Sequence, residues 1–185
     1  MNILFLGYDN KDTRLIKFLN KRGHQVTHSR EEKFNLDIFD LIISFGYRYI
    51  IKDEAINYTK RPIINLHISY LPFNRGAHPN FWSHFDNTPI GVSIHHIDSG
   101  IDTGPIIFRK KVLFKNSKLT LYQSYKILKN EIENLFIENI DSIEKYNYET
   151  FISAEKGSFH YREDLPDWVN WNLTIEDIIN KGKKK

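Results

Sequence analysis

Ile63-Ile64-Asn65-Leu66-His67-Ile68-Ser69-Tyr70-Leu71-Pro72-Phe73-Asn74-Arg75-Gly76 is the stretch that decides the fold class. Its first five residues form an apolar run of strand length. The break Arg61-Pro62 precedes it, and a loop rich in turn residues follows. Open α/β sheets place ligands beyond the carboxyl ends of such strands. Alternation along a strand turns Asn65 and His67 to the same side. An amide donor and an imidazole therefore point together into one crevice.

The surrounding sequence repeats the strand-and-helix theme. Asn2–Tyr8, Gln25–Ser29, Leu41–Phe45 and Ile90–Ile97 read as strands, and Ile106–Phe114 as a further one whose direction stays open. Helices are expected after Asp12 or Thr13 as a cap, over Ile50–Tyr58, and over Pro79–Asn87. Thr120-Leu-Tyr-Gln123 has the form of a capping box, and Leu121, Tyr125, Leu128, Ile132, Leu135 and Ile140 follow at helical spacing. Strands that are apolar throughout, separated by helices, imply an α/β fold: a Rossmann-like open, mostly parallel sheet with helices on both faces. Residues 1–147 read as one domain and residues 148–185 as a short aromatic extension holding a strand or two and a final small helix.

Composition narrows the function. The chain has 185 residues, 41% hydrophobic and 26% charged, as in soluble globular proteins. With no cysteine, disulfides, thiolate metal sites and thiol nucleophiles are excluded. No apolar run is long enough to span a membrane, and MNILFLG reads as a buried strand, not an export signal. The formal charge of +3 falls to −1 without Lys181, Lys183, Lys184 and Lys185 of the terminal KGKKK, which reads as a solvated end or an added remnant. No nucleic-acid partner is expected of such a body.

Motif searches exclude more. Leu6-Gly7-Tyr8-Asp9-Asn10 has one glycine where a dinucleotide fingerprint needs three. No Walker loop and no Gly-x-Ser-x-Gly elbow occurs. His95 and His96 are neighbours on a strand, so they face opposite ways and cannot share an ion. His67, His78 and His84 lack partners at metal-binding spacing, and no metal is expected. His24, His28, His84 and His160 read as exposed or ordinarily hydrogen-bonded.

A second informative stretch, Gly91 to Pro105, runs from a strand into a tight acidic loop that can deliver Asp102 to the same crevice. Asn, His and Asp together suit acyl transfer to an amine. The amide and an imidazolium stabilise an oxyanion, and a carboxylate orients the imidazole, raises its pKa and relays protons.

Asn65-x-His67-x-Ser69-x-Leu71-Pro72-x-x-Arg75-Gly76, then Ser93-x-His95 and Asp102-x-Gly104-Pro105, resembles the 10-formyltetrahydrofolate-dependent formyltransferase family. The resemblance covers roughly residues 1–145. It implies Asn65, His67 and Asp102 as catalytic residues. It also implies a folate pocket at Gly46 to Ile51, including Tyr47, Arg48, Tyr49, Ile50 and Ile51, and at Ile97, Asp98 and Gly100 through Asp102. The turn after the first strand lacks the Gly/Ser-rich phosphate grip of glycinamide ribonucleotide enzymes. The extension is too short for the barrel of tRNA-directed members.

The nucleotide-sugar N-formyltransferase branch fits better, and Lys156-Gly157-Ser158-Phe159-His160-Tyr161-Arg162 resembles a tail segment of its compact members. That branch implies a dTDP-amino-dideoxyhexose acceptor, surface-polysaccharide (O-antigen) biosynthesis, a cytoplasmic location and a homodimer joined through the extension. Hydrolysis of the formyl donor, or transfer to another small amine, is the alternative. Arg75 is expected to grip the nucleotide pyrophosphate and Trp82 to stack on base or sugar, although Trp82 also suits a helix core.

Overall fold

The computed structural model describes residues 1–32 and 35–183. Lys184 and Lys185 of the lysine-rich end lie outside them. The sheet has six strands in the order β2-β1-β3-β4-β6-β7, with β1 Asn2–Gly7, β2 Gln25–Ser29, β3 Leu41–Phe45, β4 Ile64–His67, β6 Gly91–His96 and β7 Ile106–Lys111. The first four run parallel, as expected of a Rossmann-like sheet. β6 is antiparallel to β4, and β7 to β6. The reason is local: the connection after β4, with helix α3 (Pro79–Phe85), turns back at the same end of the sheet where β4 stopped.

The continuous apolar runs are explained by burial on two faces. In β1, Ile3 and Phe5 enter one core with Leu15, Ile16 and Leu19 of α1 (Leu15–Lys21) and Leu128, Ile132 and Phe136 of α4 (Leu121–Glu138). Leu4 and Leu6 enter another with Leu36, Phe39, Ile42 and Ile63. The α4 capping box is present: Gln123 N donates to Thr120 Oγ1 at 3.2 Å, and Thr120 N to Gln123 Oε1 at 2.9 Å. The helix breaks at Asn139 and resumes as α5 (Ile140–Lys145).

Several boundaries differ from the sequence expectation. α1 starts at Leu15, and Thr13 Oγ1 accepts from Leu15 N at 3.2 Å without forming a regular cap. The helix expected over Ile50–Tyr58 is only α2 (Asp53–Asn57), since Lys52 is extended; the acidic Asp53 and Glu54 suit its N-terminal turn. α3 ends at Phe85 and β7 at Lys111.

Residues beyond 147 wrap the sheet. Phe151 bridges Ile106, and β8 (Phe159–His160) pairs in parallel with the two-residue β5 (Arg75–Gly76). α6 (Ile175–Gly182), opened by a Thr174–Asp177 capping box, packs on α3 through Ile178, Phe81, Trp82 and Phe85.

Candidate active site

Polar residues replace apolar ones at alternate positions of the two central strands. In β4, Ile64 and Leu66 enter the main core while Asn65 and His67 take the opposite face; in β6, Val92 and Ile94 do the same against Ser93 and His95. Register then sets the pairs, with Asn65 opposite His95 and His67 opposite Ser93. His96, on the other face, lies 3.1 Å from the Tyr148 hydroxyl, so the two adjacent histidines do point apart.

The loop after β6 brings the carboxylate. Asp98 accepts from Gly100 N at 3.1 Å and Thr103 Oγ1 at 2.6 Å, which tightens the turn. Gly104 packs so closely on the end of β6 that a Cβ there would lie 2.0 Å from the His96 carbonyl oxygen. Between them Asp102 takes a left-handed conformation with φ of 52°. Its Oδ1 accepts from Asn65 Nδ2 at 3.2 Å and lies 3.5 Å from His95 Nε2. Its Oδ2 accepts from Gly76 N at 2.9 Å and lies 3.7 Å from His67 Nε2. The trio expected from sequence is one cluster.

Electrostatics follow from burial and partners. Burial alone would raise the Asp102 carboxyl. The His67 and His95 rings and the Gly76 N–H outweigh it and hold Asp102 well below the usual carboxylate range. His67 goes the other way from expectation: its full burial pushes its pKa down, and the Asp102 charge offsets only part of that. His67 Nε2 is buried without a hydrogen-bond partner. A buried polar atom left open on a cavity wall is a place for a ligand atom.

Asn65 has two amide hydrogens, and both are engaged, one on Asp102 and one on His95 Nε2 at 3.1 Å. His95 Nδ1 lies 2.7 Å from the His96 carbonyl oxygen, so Nδ1 carries the hydrogen and neutral Nε2 accepts from Asn65. An oxyanion in the cavity would compete with His95 Nε2 for that Asn65 hydrogen. His95 was a missed participant; adjacency to His96 hid what strand register makes plain.

The cluster opens into a cavity of about 620 Å³. It is lined by Tyr47, Arg48, Tyr49, Ile50 and Ile51 after β3, together with Ile97, Asp98 and Gly100, the residues that the family resemblance implies for the folate. Ile50 is 73% exposed, so it is wall and not helix core. Tyr8, His78 and Tyr125 also line it, as do Tyr161, Arg162, Asn170 and Trp171 of the extension. Tyr8 and Tyr125 hydroxyls are 2.6 Å apart, and the Trp171 ring stands edge-on to Tyr125 at 5.4 Å.

Arg75 and Trp82 are not among the lining residues. Trp82 faces inward on α3, packed against Phe81, Phe85 and the His160 ring. Arg75 belongs to β5, with its Nε buried. His84 and His160 also depart from expectation. His84 is buried and partnerless at Nε2. His160 is stacked on Trp82. Among the described residues no group of three or more His, Asp and Glu side chains could hold a metal ion.

The formyl transferase family model matches residues 14–140. The chain belongs to this family. Methionyl-tRNA formyltransferase of Pelagibacter ubique is 33% identical over 154 residues, 77% of this chain and 46% of that protein. The dTDP-4-amino-4,6-dideoxyglucose formyltransferase of Mycobacterium bovis is 28% identical over 129 residues, 69% of this chain and 53% of that protein. The chain thus spans about half the length of the curated relatives it matches.

The formyltransferase PseJ from Anoxybacillus kamchatkensis was solved in complex with UDP-4,6-dideoxy-4-formamido-L-AltNAc and tetrahydrofolate. It superposes with a TM-score of 0.88 at 37% identity, over 98% of this chain and 100% of that one. Within the formyl transferase family, then, the likeness to this structure takes in the extension as well as the sheet.

Proposed function

We infer that the protein moves the formyl group of 10-formyltetrahydrofolate to the primary amine of an amino-dideoxy sugar carried on a nucleoside diphosphate. The observation that carries this reading is the partnerless His67 Nε2 beside an ionised Asp102 in the lining of one cavity. Asn65, His67 and Asp102 are assigned the catalysis. Tyr47 to Ile51 with Ile97, Asp98 and Gly100 are assigned the folate, whose pterin suits apolar walls and loop amides. The acceptor falls to the lining that the extension supplies, where Arg162 can pair with phosphate and Trp171 can cover a base. Residues 1–147 then hold the transfer centre, and residues 148–185 the acceptor wall.

The step balances as follows. The unprotonated amine attacks the formyl carbon and its N–C bond forms, while the carbonyl π pair becomes an oxyanion that Asn65 and His67 stabilise. As the oxyanion collapses, the bond from that carbon to N10 of the folate breaks and the pair stays on N10. One proton leaves the amine and one reaches N10, with Asp102 and neutral His67 carrying it between them or through water.

The UDP sugar in the PseJ complex makes UDP-linked 4-amino sugars the first acceptors to test, ahead of the dTDP-linked ones implied by sequence. A mass-spectrometric screen of amino-sugar nucleotides with 10-formyltetrahydrofolate should show a product in which formyl replaces one hydrogen. Formate release without an acceptor would favour hydrolysis. The likeness to methionyl-tRNA formyltransferases favours one more arm, methionyl-tRNA itself. A sugar product would serve surface-polysaccharide assembly from the cytoplasm, where folate and nucleotide sugars are made. A homodimer through the extension belongs to the same proposal. Phe151 and Trp168 remain exposed in the single chain, and light scattering at micromolar concentration tests it.

A further inference from the structure

We propose that the segment Gly157 to His160 completes the active site by aiming the Gly76 backbone N–H at Asp102, with His160 as the positioning residue that locks this arrangement. The Gly76 contact, at 2.9 Å, is the shortest that the Asp102 carboxylate makes with the cluster around it. It falls on Oδ2, the oxygen that faces His67. The direction of that oxygen toward the imidazole is therefore set by one backbone amide.

That amide is not fixed by its own strand. β5 has two residues, below the length of an independent strand. What orients it is β8. Arg75 N donates to the Ser158 carbonyl oxygen and Ala77 N to the His160 carbonyl oxygen, each at 3.0 Å. Successive N–H groups on an extended chain point to opposite edges. With its two neighbours turned toward β8, the Gly76 N–H must turn away from it, and Asp102 lies on that side. Gly76 has φ of +87°, and a Cβ there would come within 2.4 Å of the His160 carbonyl oxygen. The pairing needs the missing side chain.

Three contacts hold β8 in register. The His160 ring stacks on Trp82 at 3.9 Å with an interplanar angle of 5°. Its Nε2 lies 2.9 Å from Asp86 Oδ2 just past the end of α3, a close approach without hydrogen-bond geometry that adds to the stack only by proximity. Ser158 Oγ accepts from Asn74 N at 2.8 Å and donates to the buried Asn74 Oδ1 at 3.1 Å. His160 touches neither cavity nor trio, yet it anchors the strand that turns Gly76. The kinetic consequence rests on the formyl-transfer reading; the geometry does not.

The test compares His160→Ala with His160→Phe in the full chain, the latter keeping a ring on Trp82. Formyl-transfer kinetics are read alongside the Gly76 amide resonance in a ¹⁵N-edited NMR spectrum without ligands. His160→Ala should lower kcat on the order of 10- to 100-fold, the scale of a misplaced catalytic group, with KM for the formyl donor within about twofold. Its Gly76 proton should move upfield as the carboxylate bond is lost. His160→Phe should restore both. Should His160→Ala not fold, Ser158→Ala, which deletes only the two Asn74 bonds, takes its place with the same expected split.

Wild-type kcat in the folded variant, or a fall in kcat with an unmoved Gly76 resonance, overturns the proposal. A moved resonance in a protein that formylates nothing supports the positioning role and sinks the transferase reading instead.

Discussion

Asn65 Nδ2 sits 3.1 Å from His95 Nε2, directly across the antiparallel β4–β6 pair. A residue of one strand thus has one of its amide hydrogens held by a residue of the next. Replacing His95 with Phe keeps the bulk but removes the acceptor, and Asn65 then loses its fixed orientation. Turnover should fall on the order of 10- to 100-fold, with KM for both substrates nearly unchanged. Steady-state kinetics check this, and a variant as fast as wild type would remove His95 from the site's workings.

His67→Asn should keep the fold yet lose on the order of 100- to 1000-fold in kcat, the cost of one oxyanion donor in other enzymes. Asp102→Asn should bind folate normally in a fluorescence titration and still turn over slowly, since the carboxylate charge is lost and its shape retained. Normal rates in both variants would leave the assigned chemistry without a basis.

Arg162→Ala should raise KM for the acceptor roughly 10-fold or more, the scale of one charge-assisted hydrogen bond, and leave KM for the formyl donor alone. Arg162 is exposed at the cavity, so melting temperature should not change. An unaltered acceptor KM would move the nucleotide elsewhere in the cavity.

Burial lowers the His84 pKa from 6.5 to about 4. The unfolded chain takes up a proton there at higher pH than the folded one. The stability tied to a neutral His84 is therefore complete above pH 6.5 and lost as pH falls from there toward 4, to about 3 kcal/mol. Wild type should lose more stability over that window than His84→Leu does. Parallel curves in urea titrations at pH 7 and 4.5 would show the ring to be solvated.

Much of this was legible in the sequence, for reasons visible in particular residues. β1 and β3 bury both faces, so their apolar runs could only be inner strands. Asn65 and His67 were legible through period-two alternation, and Asp102 through its resemblance to a family pattern. β6, expected over Ile90–Ile97, is one residue shorter at each end and runs antiparallel, because nothing in Gly91 to His96 records which end of the sheet the preceding loop returns to. Trp82 suited stacking and core alike, and packing by Ile178 and His160 decided for the core. Arg162 and Trp171 carried no signal, since their place depends on a two-residue pairing between segments 84 residues apart. The fall in the His67 pKa was unreadable too: charge partners can be guessed from sequence, but depth cannot.

The parallel pairing of residues 75–76 with residues 159–160 also bears on the order in which a ribosome delivers the chain. All six strands of the large sheet have been synthesised once Lys111 is added, and the widest of its pairings, β1 with β3, spans 38 residues. The partner of Gly76 arrives 84 residues after it, across a long loop whose closure is entropically costly. A nascent chain stopped before Ser158 would own a folded scaffold and an aimless carboxylate. Under the positioning proposed above, such a truncated product would be inert before it was degraded.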